Sequence, residues 1–152
     1  MTEELALLAY ELSQRMLAQQ EMRLDELRAR TGTLLAASSV ATSFLGPRAI
    51  DRNGVDALAL LALTAFAVSV IGSVFILILN PRLVFGVRGT RLFEEERARQ
   101  ESMADVHRRL GYWLELFFDQ NQATVDRLFL VYQLAAVAVL AEVILWTIKI
   151  AI

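Results

Sequence analysis

The sequence of 152 residues contains no cysteine, one histidine and one lysine. Without cysteine, a disulfide framework and a thiolate metal site are excluded. A single histidine cannot build a zinc site, and no serine stands in a recognisable nucleophile–base arrangement. The formal net charge of −2 gives no general electrostatic basis for nucleic-acid binding. We therefore expect no enzyme activity, no cofactor and no nucleic-acid partner.

Long uncharged runs are what the sequence has in excess. Hydrophobic residues make up 56% of the chain, which excludes disorder as its main state. Residues 57–79 form an uncharged run of 23 residues. As a helix this run would be about 34 Å long, enough to cross a hydrocarbon core of about 30 Å. Residues 128–148 form a second run, of 21 residues, with Gln133 and Glu142 in its interior. Both runs predict transmembrane helices.

A third span is predicted at residues 31–47, an uncharged stretch of 17 residues that is rich in serine and threonine. No helix-breaking segment separates it from the amphipathic residues before it. We therefore expect one continuous helix from about residue 3 to about residue 45. Gly46 and Pro47 are then expected to end that helix, so that residues 48–55 turn into the next span and the two spans form a hairpin.

The remaining segments are amphipathic. Residues 1–30 are predicted to form a helical arm, and residues 81–127 to contain a short extended stretch followed by a long helix from about Thr90. The sequence leaves open whether that helix continues into the last span. Its apolar seam has the three- and four-residue spacing of a coiled coil and includes Leu110, Trp113 and Phe117. The predicted fold is all-α: a single-domain integral membrane bundle with three transmembrane helices, an N-terminal amphipathic helix and a long cytoplasmic helix.

The basic residues predict an orientation in the membrane. Residues 1–30 and 81–127 hold twelve of them, and the rest of the chain holds three, namely Arg48, Arg52 and Lys149. By the positive-inside rule, both amphipathic segments lie in the cytoplasm and the C-terminus lies outside the plasma (inner) membrane. Three spans satisfy this arrangement, whereas two would place the amphipathic segments on opposite sides.

Polar groups inside the predicted spans are the candidate functional residues. An ionisable side chain within a span, here Glu142, either serves ion passage or bonds to the hydroxyl-rich first span and fixes helix register. Gln133 lies nine positions earlier, on the opposite side of an ideal helix, and is not expected to share a site with Glu142. The first-span hydroxyls either line a pore or pack closely, and both readings stay open: Ser38, Ser39, Thr42 and Ser43.

Small residues are aligned in the first two predicted spans, in patterns that let helix backbones approach closely in lipid. Such packing occurs within one chain or between copies, and the sequence does not distinguish the two. We expect a homo-oligomer. The residues are Gly32 and Ala36 in the first span and Ala65, Ser69 and Ser73 in the second.

Three arginines follow the second predicted span in a glycine-containing stretch: Arg82, Arg88 and Arg91. Residues 86–91 loosely resemble an anion-cradling loop before a helix, but the spacing and lysine of a P-loop are absent. We expect these arginines to contact lipid headgroups instead.

Residues 24–46 and 108–129 together carry a family resemblance. The pattern, with fourteen arginines and one lysine, resembles small, mostly uncharacterised three-span membrane proteins of high-GC Gram-positive bacteria. More remotely it is similar to Pycsar-type transmembrane antiphage effectors, in which an Asp and a basic-Ala pair precede a small-residue span and a later helix carries a central Asn. Asp25, Arg28-Ala29 and Asn121 would fill those places. The resemblance implies a protein that oligomerises and disrupts the inner membrane after a nucleotide signal.

Two functions are expected from these features. The first is a pore-forming or membrane-perturbing protein, with the hydroxyls of the first span and Glu142 near the conduction path. The alternative is a non-conducting membrane scaffold that recruits a partner through its cytoplasmic helices and the aromatic seam around Trp113. The expected partners are the lipid bilayer and further copies of the chain. A cytoplasmic protein or a nucleotide signal is left open, as are the copy number and any conducted ion.

Overall fold

The computed structural model describes residues 2–78, 83–86 and 102–152. These residues form three helices and no strand: α1 (Thr2–Asn53), α2 (Ala57–Ile78) and α3 (Met103–Ala151). The all-α prediction is therefore confirmed. Helices α2 and α3 are each long and apolar enough to cross a membrane. Helix α1, which contains the predicted span at residues 31–47, does not meet the same measure of length and hydrophobicity.

Helix α1 is longer than the sequence predicts. The expected end near residue 45 and the turn at Gly46 and Pro47 are wrong, because the helix passes through Pro47 and continues to Asn53. Proline removes one backbone donor, but the turn that contains it is packed: Ala49 is fully buried, and Gly46 faces the Trp146 ring. The helix ends instead at Asn53 and is followed by Gly54, whose φ of 67° is the left-handed conformation that favours glycine after a C-terminus.

Helix α3 answers the question that the sequence leaves open. It is one continuous helix of 49 residues, so the polar stretch before the last predicted span does not interrupt it. Ser102 precedes the helix and its hydroxyl accepts a hydrogen bond from the backbone N–H of Asp105, at 3.3 Å. This is the contact of an N-terminal cap. The predicted start near Thr90 lies outside the described residues.

The chain divides into two compact units, and α1 and α3 run through both. One comprises Met1–Asp25 and Pro81–Val125 and is here named the polar unit. The other comprises Glu26–Asn80 and Asp126–Ile152 and is named the apolar unit. The apolar unit contains all three of the spans predicted from the sequence, at residues 31–47, 57–79 and 128–148.

Within the apolar unit, α1 and α3 run in the same direction and α2 runs against them. Ser38 and Thr42 of α1 contact Glu142 of α3, and Gly46, further along α1, faces Trp146, further along α3, so the pairing is parallel. The start of α2 lies near the end of α3, where Asp56 pairs with Lys149, whereas Gly72 lies against Ala135. The buried side of α2 consists of small and apolar residues: Ala59, Ala62, Ser69, Ser73 and Ile76.

A row of buried residues recurs at every seventh position along α3. All of these residues are at most 4% exposed. A spacing of seven residues is the period of a coiled-coil core. Three of the six are polar, and each of these has a partner of its own. The row consists of Leu114, Asn121, Leu128, Ala135, Glu142 and Lys149.

The close approach of α2 and α3 at Gly72 generates a stability prediction. A Cβ added at Gly72 would lie 3.3 Å from the Cβ of Ala135, so a larger side chain has no room. We expect Gly72→Leu to destabilise the protein by about 1–3 kcal/mol, the usual effect of overpacking. Thermal unfolding followed by circular dichroism in detergent micelles measures the change.

Gly32 provides the matched control, because it also lies within a helix but a Cβ there would meet nothing within 4 Å. Gly32→Leu should leave the melting temperature unchanged or slightly raised, since leucine is the better helix former. Equal destabilisation by both substitutions would contradict the packing described for α2.

Candidate functional site

Glu142 lies in the middle of the apolar unit and is fully buried, with 0% of its surface exposed. Both of its carboxyl oxygens accept hydrogen bonds from hydroxyls of α1. Ser38 donates to Oε2 at 2.6 Å, and Thr42 donates to Oε1. Because Ser38 and Thr42 are one helical turn apart, they reach the two oxygens of one carboxyl group together. The three side chains form a closed polar cluster within a single chain.

The four predicted hydroxyls do not act as one stripe. Ser39 donates to the carbonyl of Leu35 at 2.9 Å, and Ser43 donates to the carbonyl of Ser39 at 2.7 Å. These bonds to the carbonyl four residues earlier satisfy a hydroxyl within its own helix. Ser43 is exposed and Ser39 is half-buried, so this pair turns away from the carboxyl group that Ser38 and Thr42 hold.

Gln133 is the other predicted polar group of the last span, and it lies on the opposite side of α3. Its side chain is exposed among apolar neighbours, including Leu134 at 59% and Val137 at 64% exposure. Gln133 and Glu142 therefore do not form one site.

The small residues of the two helices have different surroundings. In α2, Ser69 and Ser73 are fully buried and Ala65 is half-buried, so that this row packs inside the chain. In α1, Gly32 and Ala36 are exposed. The small residues of α2 therefore pack inside the apolar unit, whereas Gly32 and Ala36 of α1 lie on its surface.

An ion pair connects the start of α2 with the end of α3. Lys149 Nζ lies 2.8 Å from Asp56 Oδ1, and the side chain of Lys149 is only 1% exposed. The same Asp56 oxygen accepts a hydrogen bond from the N–H of Ala59 at 2.9 Å, as an N-terminal cap does. The hydrogen bond from Lys149, together with that from Ala59, lowers the pKa of Asp56. Sequence reasoning missed Asp56, although its position just before an apolar helix is the signal of a cap.

Among the described residues of the polar unit, two side-chain amides are buried, those of Gln20 and Asn121. Gln20 Nε2 donates to the carbonyl of Phe118 at 3.2 Å and to Oε1 of Gln122 at 3.1 Å. Asn121 is 3% exposed and pairs with the backbone of Val84 through both ends of its amide. These contacts join α1 and the 83–86 segment to the same stretch of α3.

The packed side of α3 in the polar unit is displaced from the predicted seam. Leu110 is buried as expected, but Leu114 takes the next place, and Trp113 is 51% exposed. Gly111 explains the displacement, because the backbone of Tyr10 approaches within 3.8 Å of the position that a Cβ would occupy. Trp113 instead contacts Phe117 edge to face, with ring centroids 6.2 Å apart.

The described residues contain no group of three or more acidic or histidine side chains that could hold a metal ion. The three arginines expected to contact lipid, Arg82, Arg88 and Arg91, lie outside the described residues. Comparison of the chain with protein-family models, curated proteins and solved structures found no match. The resemblance to small three-span membrane proteins and to Pycsar-type effectors therefore stays a prediction.

The Glu142 cluster predicts what happens when the two hydroxyl donors are removed and the buried carboxyl group stays. Ser38→Ala combined with Thr42→Val leaves the carboxyl group buried without donors, which should destabilise the protein by at least about 1–3 kcal/mol. Adding Glu142→Leu to this double variant removes the unsatisfied group, and the triple variant should regain most of the loss. Unfolding in detergent micelles by denaturant titration measures all three proteins.

Ser39→Ala combined with Ser43→Ala is the matched control, because these hydroxyls bond only within their own helix. We expect its stability to stay within about 0.5 kcal/mol of the parent protein. A triple variant no more stable than the double variant would show that the cluster is not a unit.

The Asp56 ion pair predicts a dependence of stability on pH. Because the folded pKa is lowered, the pair contributes its full stability above the unfolded value of about 3.9 and loses it as the pH falls through the folded pKa. The melting temperature measured between pH 5 and pH 2 should therefore fall less steeply for Asp56→Asn than for the parent protein. Asp51→Asn, a change at an exposed carboxylate nearby, should keep the parent profile.

Proposed function

We propose that this chain is a three-span membrane protein that does not conduct ions and that recruits a partner through its polar unit. In this proposal α2 and the apolar part of α3 are two of the spans, and residues 31–47 of α1 are the third. The N-terminus and the polar unit lie in the cytoplasm, and the C-terminus lies outside the plasma membrane.

The pairing of α1 with α3 supports the third span. Ser38 and Thr42 contact Glu142, and Gly46 faces Trp146, so the predicted first span lies directly alongside the apolar part of α3. If that part of α3 crosses the bilayer, the neighbouring stretch of α1 must lie at the same depth. The outer surface of α2 agrees with a lipid environment, since large apolar side chains are exposed on it, including Ile71 at 69% and Ile78 at 75%.

The division of the basic residues supports the orientation. Twelve lie in residues 1–30 and 81–127 and three elsewhere, and such an excess marks the cytoplasmic side of a membrane protein. Helices α1, α2 and α3 would then cross outward, inward and outward, which fits the parallel and antiparallel pairing found in the apolar unit.

The observation that carries the non-conducting function is the closed environment of Glu142. An ionisable residue in a span faces either the interior of the helix bundle or a water-filled cavity, and ion passage requires a path that ions or water can enter. Here both carboxyl oxygens are bonded to hydroxyls of the same chain, and the residue has no exposed surface. Its chemistry is that of a contact that fixes the register of α1 against α3.

The surface of the polar unit supports recruitment of a partner. Tyr112, Trp113 and Leu116 are 67%, 51% and 52% exposed on one stretch of α3, beside the half-buried ring of Phe117. Exposed aromatic and aliphatic groups at helical spacing are typical anchors of protein–protein contacts.

A pore between copies is the second candidate, and one observation favours it. Gln133 presents its amide on the exposed side of the last predicted span, where lipid tails offer no hydrogen-bond partner. Copies assembled around this residue would enclose a polar path without using Glu142.

Reconstitution distinguishes the two functions. We expect proteoliposomes to pass potassium no faster than protein-free liposomes, and Glu142→Gln to leave this unchanged. In native membranes, a photo-crosslinking amino acid at position 113 should join the chain to another protein. The same group at position 71, which faces lipid in this proposal, should not.

Potassium flux above the protein-free level would overturn the non-conducting function. If that flux disappeared in Gln133→Leu and persisted in Glu142→Gln, it would establish the pore between copies instead. Leu134→Ala, a change at the neighbouring exposed residue, serves as the control for altered lipid contact.

A further inference from the structure

The 83–86 segment lies against the helices of the polar unit as an extended peptide. Leu83 and Phe85 are half-buried, whereas Val84 and Gly86 are exposed. This alternation is the two-residue period of an extended chain with one side on a surface. Within the described part of the chain, the hydrogen bonds of this segment are the two that it makes with Asn121.

Asn121 pairs with the main chain of a single residue of that segment. Its Oδ1 accepts from the backbone N–H of Val84 at 3.3 Å, and its Nδ2 donates to the carbonyl of Val84 at 3.0 Å. These are the donor and acceptor that a neighbouring strand would use. Since only backbone atoms are bound, the contact selects an extended conformation and not a particular side chain at this position.

Asn121 occupies a position where an apolar residue would pack better. It belongs to the row of α3 that recurs at every seventh residue, and it is 3% exposed. A polar residue in such a row lowers stability in exchange for a specific geometry. Here the Asn121 amide bonds to the 83–86 segment, so the geometry that this polar residue fixes is the position of that segment on α3.

Phe85 lies at an open cleft of about 560 Å³ in the same unit. The lining includes the apolar residues Leu17, Leu110 and Leu114, and it also includes four residues with polar groups: Tyr10, Gln14, Arg15 and Glu21. The cleft is not filled by the 83–86 segment, although Phe85 forms part of its lining. Phe85 follows Val84, whose backbone pairs with Asn121, and the cleft beside Phe85 is large enough to hold a ligand group.

We propose that Asn121 and this cleft form a binding site for an extended peptide segment with an aromatic residue, and that 83–86 is its internal occupant. A partner's segment would pair its backbone with Asn121, place its aromatic side chain in the cleft and displace 83–86. The proposal rests on the proposed recruitment function and names the chemistry of the partner: an extended segment with apolar side chains at alternating positions.

Hydrogen exchange tests the internal contact without any partner. In the full-length protein in detergent micelles, the Val84 amide should exchange at least tenfold faster in Asn121→Leu than in the parent protein, as measured by NMR. Gln120→Leu, a change at the exposed neighbouring residue, should leave the rate unchanged. The amides of α1 and α3 should remain protected in both variants. An unchanged rate in Asn121→Leu would overturn the role of Asn121.

Peptide binding tests the site itself. A fluorescent peptide with the sequence of residues 82–87 should bind Phe85→Ala at least tenfold more tightly than it binds the parent protein, because the internal occupant has lost its anchor. Adding Asn121→Leu should weaken this binding at least tenfold, and so should alanine in place of phenylalanine in the peptide. Fluorescence anisotropy measures each affinity.

Binding that is absent, or equal for the parent protein and Phe85→Ala, would overturn the peptide site. That failure is distinct from failure of the proposed function. A partner captured at position 113 from a protein that binds no peptide would leave recruitment standing and assign it to the aromatic surface of α3 alone.

Discussion

The row of buried residues at every seventh position of α3 is the feature on which the rest of the structure depends. Its three polar members hold three different parts of the chain: Asn121 the 83–86 segment, Glu142 helix α1, and Lys149 the start of α2. A purely apolar row could slide by one heptad with little loss, whereas a polar residue without its partner is costly to bury. Each polar contact therefore fixes the register of one pairing, at some expense of stability.

This constraint explains why α1 is only weakly hydrophobic where it is predicted to cross the membrane. Ser38 and Thr42 are needed to satisfy both oxygens of Glu142, and hydroxyls that bond within their own helix add further polar atoms at low cost. The polar content of residues 31–47 thus belongs largely to contacts that are already made. Hydropathy counts such side chains as polar although their hydroxyls donate hydrogen bonds within the chain, which is why this predicted span has the weakest hydropathy signal of the three predicted spans.

Sequence alone predicts the helices and identifies Glu142 as a candidate residue, because long apolar runs and an ionisable residue within one of them are local signals. The predicted run of 57–79 corresponds to α2 at Ala57–Ile78. The sequence does not show how each helix is rotated about its own axis. Ser38 and Ser39 are adjacent, but successive residues are about 100° apart around a helix. Ser38 therefore bonds to Glu142 of α3, whereas Ser39 bonds to a carbonyl of α1. The helix through Pro47 and the place of Leu114 in the packed side depend likewise on neighbours, namely Trp146 and the backbone of Tyr10.

The contrast between the two units indicates where a partner would bind. In the apolar unit, the buried ionisable groups Glu142 and Lys149 have partners within the chain: Glu142 has two hydroxyls and Lys149 has Asp56. In the polar unit, the Asn121 amide bonds to a short extended segment that lies beside an open cleft, and Trp113 is half exposed. A contact to a short extended peptide is easier to exchange than a contact between two long helices, because far less buried surface must be released. We therefore propose that a partner binds at the polar unit, whereas the contacts of the apolar unit hold the helices in register.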